Sequence, residues 1–333
     1  MSSYKVCIIG TGAAGLLTLF CLSFTSIPPE DIVCIDPYHD GGDLQRKWCC
    51  VKSNTTWDQL LQILRSKQIS LETLPSCWRE IDPAKPTELR NYIQLLRHIT
   101  NPFMSRCEIL NSMVTSFQEE NGQVRVHVAN QKSILAKICI LATGSTPKQL
   151  HYPIPTIPLE IALHQTLLSS YVQPHQTVSV FGTAHSGTLV LSNLHHLKAH
   201  THAFYKGEKP FLFARDGEYD GIKQESETIA DQILAGAFPH TFLHPITNTA
   251  ELIRWTRRSD WVIYASGFQR TDLTSSLSYD DSTGRIQNLP NTWGFGIAFP
   301  SRASDGIHWD VGISSFFEHI EKQIPRIVES FYA

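Results

Sequence analysis

An apolar run, Val6-Cys7-Ile8-Ile9, opens the chain and stops at a glycine. A helical apolar pattern resumes after Gly15 and continues to about Phe24. A strand buried on both faces reads as such a continuous run, whereas a half-buried one alternates. Ile32-Val33-Cys34-Ile35 is a second run of this kind and ends at Asp36-Pro37. Leu60, Leu61 and Leu64 line one face of a predicted helix, behind an apparent capping box at Thr55-Thr56-Trp57-Asp58. Leu89, Tyr92, Ile93 and Leu96 line another.

The period then changes. Val124, Val126 and Val128 alternate with Arg125 and His127, as in a half-buried strand, and Asn121-Gly122 before them is a hairpin signal. With 108–117 and 133–140 these residues predict a three-stranded antiparallel meander that ends in Ile140-Leu141-Ala142-Thr143-Gly144. A Pro-, His- and Thr-rich connector follows over 147–174.

The opening succession then recurs. Val178-Ser179-Val180-Phe181 leads into a second glycine loop, a helix over about 187–197 and a strand over about 201–205. A helix over 222–235 and the run Asp260–Gly267 complete this second unit. The tail carries Gly294-Phe295-Gly296, then Val311-Gly312-Ile313, then a helix from Ser314 or Ser315 to about Phe331. The predicted class is α/β, with two Rossmann-like units, each a parallel sheet with helices, and the meander in the first.

Bulk properties narrow the function. A length of 333 residues fits about two domains. The formal net charge of -3, without a basic run, gives no electrostatic case for nucleic acid or an anionic membrane as partner. The uncharged stretch from Val6 to Phe24 imitates a signal peptide, but neither the three glycines nor Asp36 belongs to one. No other stretch is long enough to span a bilayer. None of the eight cysteines forms a Cys-x-x-Cys pair, and a reduced, cytoplasmic protein is the expectation. His196 and His200 have His-x3-His spacing, but a helix end between them and the lack of a nearby acid argue against a metal site.

The two loops carry the candidate chemistry. Gly10-Thr11-Gly12-Ala13-Ala14-Gly15 is a dinucleotide fingerprint: Gly10 for the tight turn, Gly12 for approach to a pyrophosphate, Gly15 for helix–strand packing. The helix N-terminus offers free N–H groups to phosphates. Asp36 is placed to accept from ribose hydroxyls and would repel a 2′-phosphate, so this site suits FAD or NAD. The second loop, Gly182-Thr183-Ala184-His185-Ser186-Gly187, has Ala184 where the middle glycine belongs. At the end of its second strand stand Tyr205 and Lys206, with no acid. A cation there favours a 2′-phosphate and hence NADPH over NADH.

In this order the elements resemble the two-dinucleotide-binding-domain flavoproteins, a superfamily that includes pyridine-nucleotide disulfide reductases and flavin-containing monooxygenases. The resemblance spans nearly the whole chain. Gly10, Gly12, Gly15 and Asp36 look like its FAD fingerprint, Ala142-Thr143-Gly144 like the motif ending its meander, and Tyr264-Ala265-Ser266-Gly267-Phe268 like its second hinge. It implies a split FAD domain over 1–147 and 265–333, with an NAD(P)H domain inserted over 148–264. FAD contacts are then expected at Gly10, Gly12, Ala13, Ala14 and Gly15, at Asp36 and Pro37, at Gly42 and Trp48, and at Ala142, Thr143 and Gly144. Gly312 and Ile313, at the start of the terminal helix, are expected beside the flavin. NAD(P)H contacts are expected along 182–187, at Lys206, and at Ser266 and Gly267.

The disulfide-reductase branch lacks its cysteine spacings here. Gly41-Gly42-Asp43-Leu44 and Ser53-Asn54-Thr55 look like monooxygenase segments, and that branch makes Asn54 a candidate catalytic amide. Asn54 or Thr55 can equally serve as a helix cap. The leading expectation is an FAD-dependent, NAD(P)H-using monooxygenase with a small-molecule substrate. An NAD(P)H-dependent flavin reductase of a non-disulfide acceptor and a flavin-binding sensor or interaction protein with a decayed nicotinamide site are the alternatives. Trp48, Trp57, Trp293 and Phe299 are candidates for substrate recognition. The residues leave monomer and homodimer open.

Overall fold

The computed structural model describes residues 2–53, 55–211, 219, 222, 224–303, 305, 306 and 308–331. The chain divides into two compact units. The first comprises Met1–Cys49, Thr55–Ser145 and Arg270–Ala333, and the second Cys50–Asn54 and Thr146–Gln269.

The first unit is built on a seven-stranded sheet. Strands β1 (Ser3–Ile9), β2 (Ile32–Asp36) and β3 (Glu108–Asn111) run parallel in the order β3-β2-β1. Strands β4 (Val114–Glu120), β5 (Gln123–Val128) and β6 (Ile134–Leu141) form the antiparallel meander. The expected first meander strand, 108–117, is therefore two strands. Ile109 and Leu110 pair with Cys34 and Ile35 of β2 in the parallel sheet, and the chain turns at Ser112-Met113 before Val114 enters the meander. Apolar patterning cannot distinguish these fates, because it encodes burial and not the direction of the partner strand.

β6 joins the two halves. One edge pairs parallel with β1 along most of its length. The other edge is shared: Ile134–Ala136 pair with β5, while Cys139–Leu141 pair parallel with the late strand Thr292–Gly294. Glu119 Oε1 accepts from Asn291 N at 2.6 Å, which fixes the late strand to the meander.

Alternation along β1 feeds two cores. Val6 and Ile8 pack with helices α1 (Ala13–Leu22), α2 (Trp57–Ser66), α3 (Leu89–Met104) and the terminal helix Ile313–Glu329. Cys7 and Ile9 pack with Val124, Val126 and Val128 of the meander. Both faces of β1 are covered, which explains the unbroken apolar run. The capping box of α2 is shifted one residue from the expected position. Thr56 is the N-cap and donates from its backbone to Gln59 Oε1 at 2.9 Å, leaving Asp58 free to bind Arg65 at 2.7 Å.

The second unit has a four-stranded parallel sheet. Its strands are β7 (Thr177–Phe181), β8 (His200–Tyr205), β9 (Thr241–Pro245) and β10 (Trp261–Tyr264), in the order β9-β8-β7-β10. Helix α4 (His185–His196) follows β7, and α5 (Glu225–Leu234) and α6 (Thr249–Trp255) follow later. A stack of Tyr152, Phe181 and Phe204, with centroids 5.0 and 5.1 Å apart, fills part of its core. Helix α4 ends at His196, short of His200, and no metal-holding group of three or more ligands occurs among the described residues. Among them, no helix is long and apolar enough to cross a membrane.

A histidine pair, one ring buried and the other half-buried, is expected to make the second unit acid-sensitive. His202 is 4% exposed, stacks on Trp255, and places Nδ1 3.0 Å from Nε2 of His244. Burial, followed by the neighbouring His244, pushes the His202 pKa down to about 4, against an opposing pull from Glu251. An unfolded histidine titrates near 6.5. Stability from this site is therefore complete above about pH 6.5 and falls as the pH drops toward 4. Urea unfolding at pH 7.5 and pH 5 should differ by about 2 kcal/mol from this group alone. His202→Gln should remove that difference; an unchanged acid loss in the variant would contradict the assignment.

Candidate nucleotide sites

Both glycine loops are strand-to-helix turns of the same construction. In the first, Gly10 has φ +95° and donates its N–H to Ile35 O at 2.9 Å. A Cβ on Gly10 would lie 2.3 Å from Ala142 O, and one on Gly15 would lie 2.0 Å from Gly10 O. In the second, a Cβ on Gly182 would lie 2.2 Å from Ala265 O, and one on Gly187 would lie 2.1 Å from Gly182 O. Ala142 and Ala265 thus close the two turns from the end of a neighbouring strand. The tripeptides Ala142-Thr143-Gly144 and Ala265-Ser266-Gly267 end alike, with Gly144 and Gly267 at φ +67° and +92°.

Gly12 is different. Its backbone is extended, with φ -71° and ψ -165°, and its virtual Cβ meets nothing closer than Gly41 O at 3.8 Å. Ala184 holds the corresponding place in the second loop with φ -74° and ψ -170°. An alanine therefore fits this conformation, and protein packing does not demand glycine at position 12.

Several distant segments converge on the first loop. Gly42, with φ +71°, lies so close that its virtual Cβ would be 3.0 Å from Gly12 Cα. Gly41 is held against Ile93 of α3, where a Cβ would meet Cγ1 at 2.5 Å. Gly296, with φ +81°, packs on Ala14, where a Cβ would meet that methyl at 2.6 Å. Gly41 and Gly296 were not among the expected contacts. Their signals were the Gly-Gly and Gly-Phe-Gly spacings, which do not say what they touch.

Asp36 anchors the loop it was expected to serve. Its side chain is buried, Oδ2 accepts from Thr11 N at 2.8 Å, and Oδ1 accepts from Tyr38 N at 2.8 Å and His39 N at 3.1 Å. Burial works to raise its pKa, but the three N–H donors and nearby His39 outweigh it, and the net shift is downward. A carboxylate has about four acceptor positions. Three are filled, which leaves room for one hydroxyl. His39 Nε2 lies 3.1 Å from Leu110 O, which can only accept, so Nε2 carries a proton. In the neutral ring Nδ1 is then the acceptor for Thr11 Oγ1, 3.2 Å away. Pro37 follows Asp36 at the rim of this turn, partly exposed.

The terminal helix, α7 (Ile313–Glu329), begins at Gly312, and Ser314 Oγ donates to Gln59 O of α2 at 3.3 Å. A Cβ on Gly312 would stand 4.0 Å from Thr55 Oγ1, so the N-terminal ends of α2 and α7 lie side by side. Trp48 is buried near the Gly41-Gly42 turn in sequence, its N–H bonded to Asp43 O. Trp57 and Phe299 are fully buried and Trp293 nearly so, which places these three in the cores rather than on an open binding surface. The candidate catalytic residue Asn54 lies outside the described residues.

At the second loop, Thr183 Oγ1 donates to Pro210 O, and Thr188 Oγ1 to Thr183 O at 3.1 Å. Ala184 is exposed and Ser186 partly so. His185, the first residue of α4, has Nδ1 2.9 Å from Ser226 Oγ. Burial lowers its pKa, while a hydrogen bond to the Lys52 backbone and the charge of Glu225 oppose the shift. Lys206 is exposed directly after β8. Ser266 Oγ donates to Lys148 O at 3.3 Å. Cys7, Cys21, Cys34, Cys77, Cys107 and Cys139 form no disulfide, and Cys49 and Cys50 are partly exposed.

No family model matches the chain. A curated relative, the monooxygenase AgnR1 of Paecilomyces divaricatus, is 25% identical over 98% of this chain and 99% of its own length. A doubly substituted flavin monooxygenase from Stenotrophomonas maltophilia superposes with a TM-score of 0.70, 16% identity and complete coverage of both chains. The bacillithiol disulfide reductase of Staphylococcus aureus gives 0.69 at 14% identity over 99% of each chain. The FAD-bound cadaverine monooxygenase of Erwinia amylovora gives 0.67 at 13% identity, covering 99% of this chain and 95% of that one. The chain thus shares the fold of these monooxygenases and this disulfide reductase, and it is similar along its full length to a curated monooxygenase.

Proposed function

We propose that this protein is an FAD-dependent oxidoreductase of the monooxygenase type, reduced by NAD(P)H, with NADPH ahead of NADH and a small molecule as substrate. The observation that carries the reading is Gly12: a glycine that neither backbone conformation nor packing requires, at the mouth of a turn where Gly10 and Gly15 are sterically obligatory. A cradle left open at one glycine and closed at two fits a dinucleotide pyrophosphate. Similarity to the fungal monooxygenase and to solved flavin monooxygenases supports the monooxygenase class. The absence of a Cys-x-x-Cys pair argues against a dithiol mechanism.

The residues fit FAD as follows. The start of α1, beyond Gly12, faces the pyrophosphate with backbone N–H groups. Asp36 retains one acceptor position for a ribose hydroxyl. Gly42 and Ala142 shape the walls, and the positive end of α7 at Gly312 and Ile313 favours negative charge on a nearby ring. Bound FAD would supply the two-electron chemistry that side chains lack. The second loop serves the nicotinamide nucleotide, with Lys206 attracting a 2′-phosphate.

The purified protein should be yellow and hold FAD in about equimolar amount; failure to take up FAD overturns the proposal. Anaerobic NADPH should bleach that absorption, and NADH should do so less efficiently. Lys206→Ala should raise KM for NADPH by about tenfold, the effect of one lost charge–phosphate contact, with little change for NADH. Gly12→Ala should bind FAD poorly yet melt like apo wild type. Gly15→Ala places its methyl against a backbone carbonyl and should destabilise the fold by about 3 kcal/mol, read by thermal unfolding of the apo protein.

A further inference from the structure

The start of α4 carries a device that the start of α1 does not. The first residue of α1 is Ala13, and the first of α4 is His185. We propose that His185 is a positioning residue that takes up a proton when an anionic nicotinamide dinucleotide binds at the second loop, tightening binding as the pH falls. This rests on the reading that the second unit holds NAD(P)H.

The ring is partly buried and fixed on two sides. Ser226 Oγ, at the beginning of α5, lies 2.9 Å from Nδ1, and the ring also hydrogen-bonds the Lys52 backbone. Both partners serve either protonation state. A hydroxyl donates to a neutral ring nitrogen and can turn to accept from a charged one, while a backbone carbonyl accepts in both cases. The ring can therefore gain a proton without losing a hydrogen bond or moving.

Without ligand, the balance favours the neutral ring. Burial disfavours the cation, and the positive end of α4 adds to this. Among the described residues, the charged groups around it come from two segments. Lys52 and Glu225 form an ion pair at 3.1 Å, and Glu227 stands further along the first turn of α5. The first turn of α4 itself contributes no acid. Glu225, whose carboxylate pairs with Lys52, pulls toward protonation without overcoming the effect of burial. A dinucleotide pyrophosphate brings about two negative charges to the same helix end, and an opposite charge within about 4–6 Å favours the charged imidazole. The bound anion and the proton then stabilise one another, as linkage requires.

The test is calorimetric titration of the FAD-loaded, oxidised protein with NAD+ and with NADP+, in two buffers of different ionisation enthalpy. NAD+ lacks the 2′-phosphate and so isolates protein groups. Wild type should take up a fraction of a proton per NAD+ at pH 7, and Kd should rise by up to about tenfold from pH 6 to pH 8, the equivalent of one pKa unit. His185→Gln keeps a donor and an acceptor for Lys52 and Ser226, and it should bind with no proton uptake and a flat pH profile. Equal uptake in wild type and variant overturns this inference alone. Failure of both nucleotides to bind overturns the NAD(P)H reading, and this inference with it.

Discussion

Everything in the first unit depends on how closely α1 approaches β1. At Gly15 the helix backbone sits where a methyl would be 2.0 Å from the carbonyl of Gly10. That approach lets the loop between them stay short and turns the first peptide N–H groups of α1 outward as a group. It also fixes Ala142, whose N–H bonds Ile9 O at 2.8 Å, against the same turn. A side chain at Gly10 or Gly15 would push helix from sheet and open the cradle. Both units use this constraint, one with Ala142 and the other with Ala265, so the steric requirement has been met twice with the same residue types.

The two turns differ at their rims. Position 12 is glycine and position 184 is alanine, although the backbone angles agree within a few degrees. Asp36 stands after one second strand and Lys206 after the other. Steric residues are shared, and electrostatic residues are not. The common framework forms the turn, and the two units differ in the residues at its rim.

Much of this was legible in the chain. The apolar runs at Val6–Ile9 and Val178–Phe181 named the buried strands, and the glycine spacings named the turns. What stayed hidden has a common cause. Burial patterns report how much of a residue is covered, not by what. Ile109 and Leu110 read as meander residues because a parallel and an antiparallel neighbour bury them alike. Gly296 read as loop because nothing local reveals that it rests on Ala14, some 280 positions away. Asp36 read as a ribose ligand, and its role in holding Thr11 appears only when the loop and strand end are brought together.

The forked edge of β6 has a consequence for how the chain is made. Cys139–Leu141 pair with Thr292–Gly294, and the second unit's main stretch, Thr146–Gln269, lies between them in sequence. During synthesis the main stretch of the second unit emerges while that half of the β6 edge waits unpaired. Its four parallel strands come from one continuous stretch and can close first, whereas the first sheet must close a loop of about 150 residues, a slow non-local step. The later-sequenced unit is thus set to fold ahead of the one that opens the chain, and the waiting edge is the place where a nascent chain is exposed to mispairing.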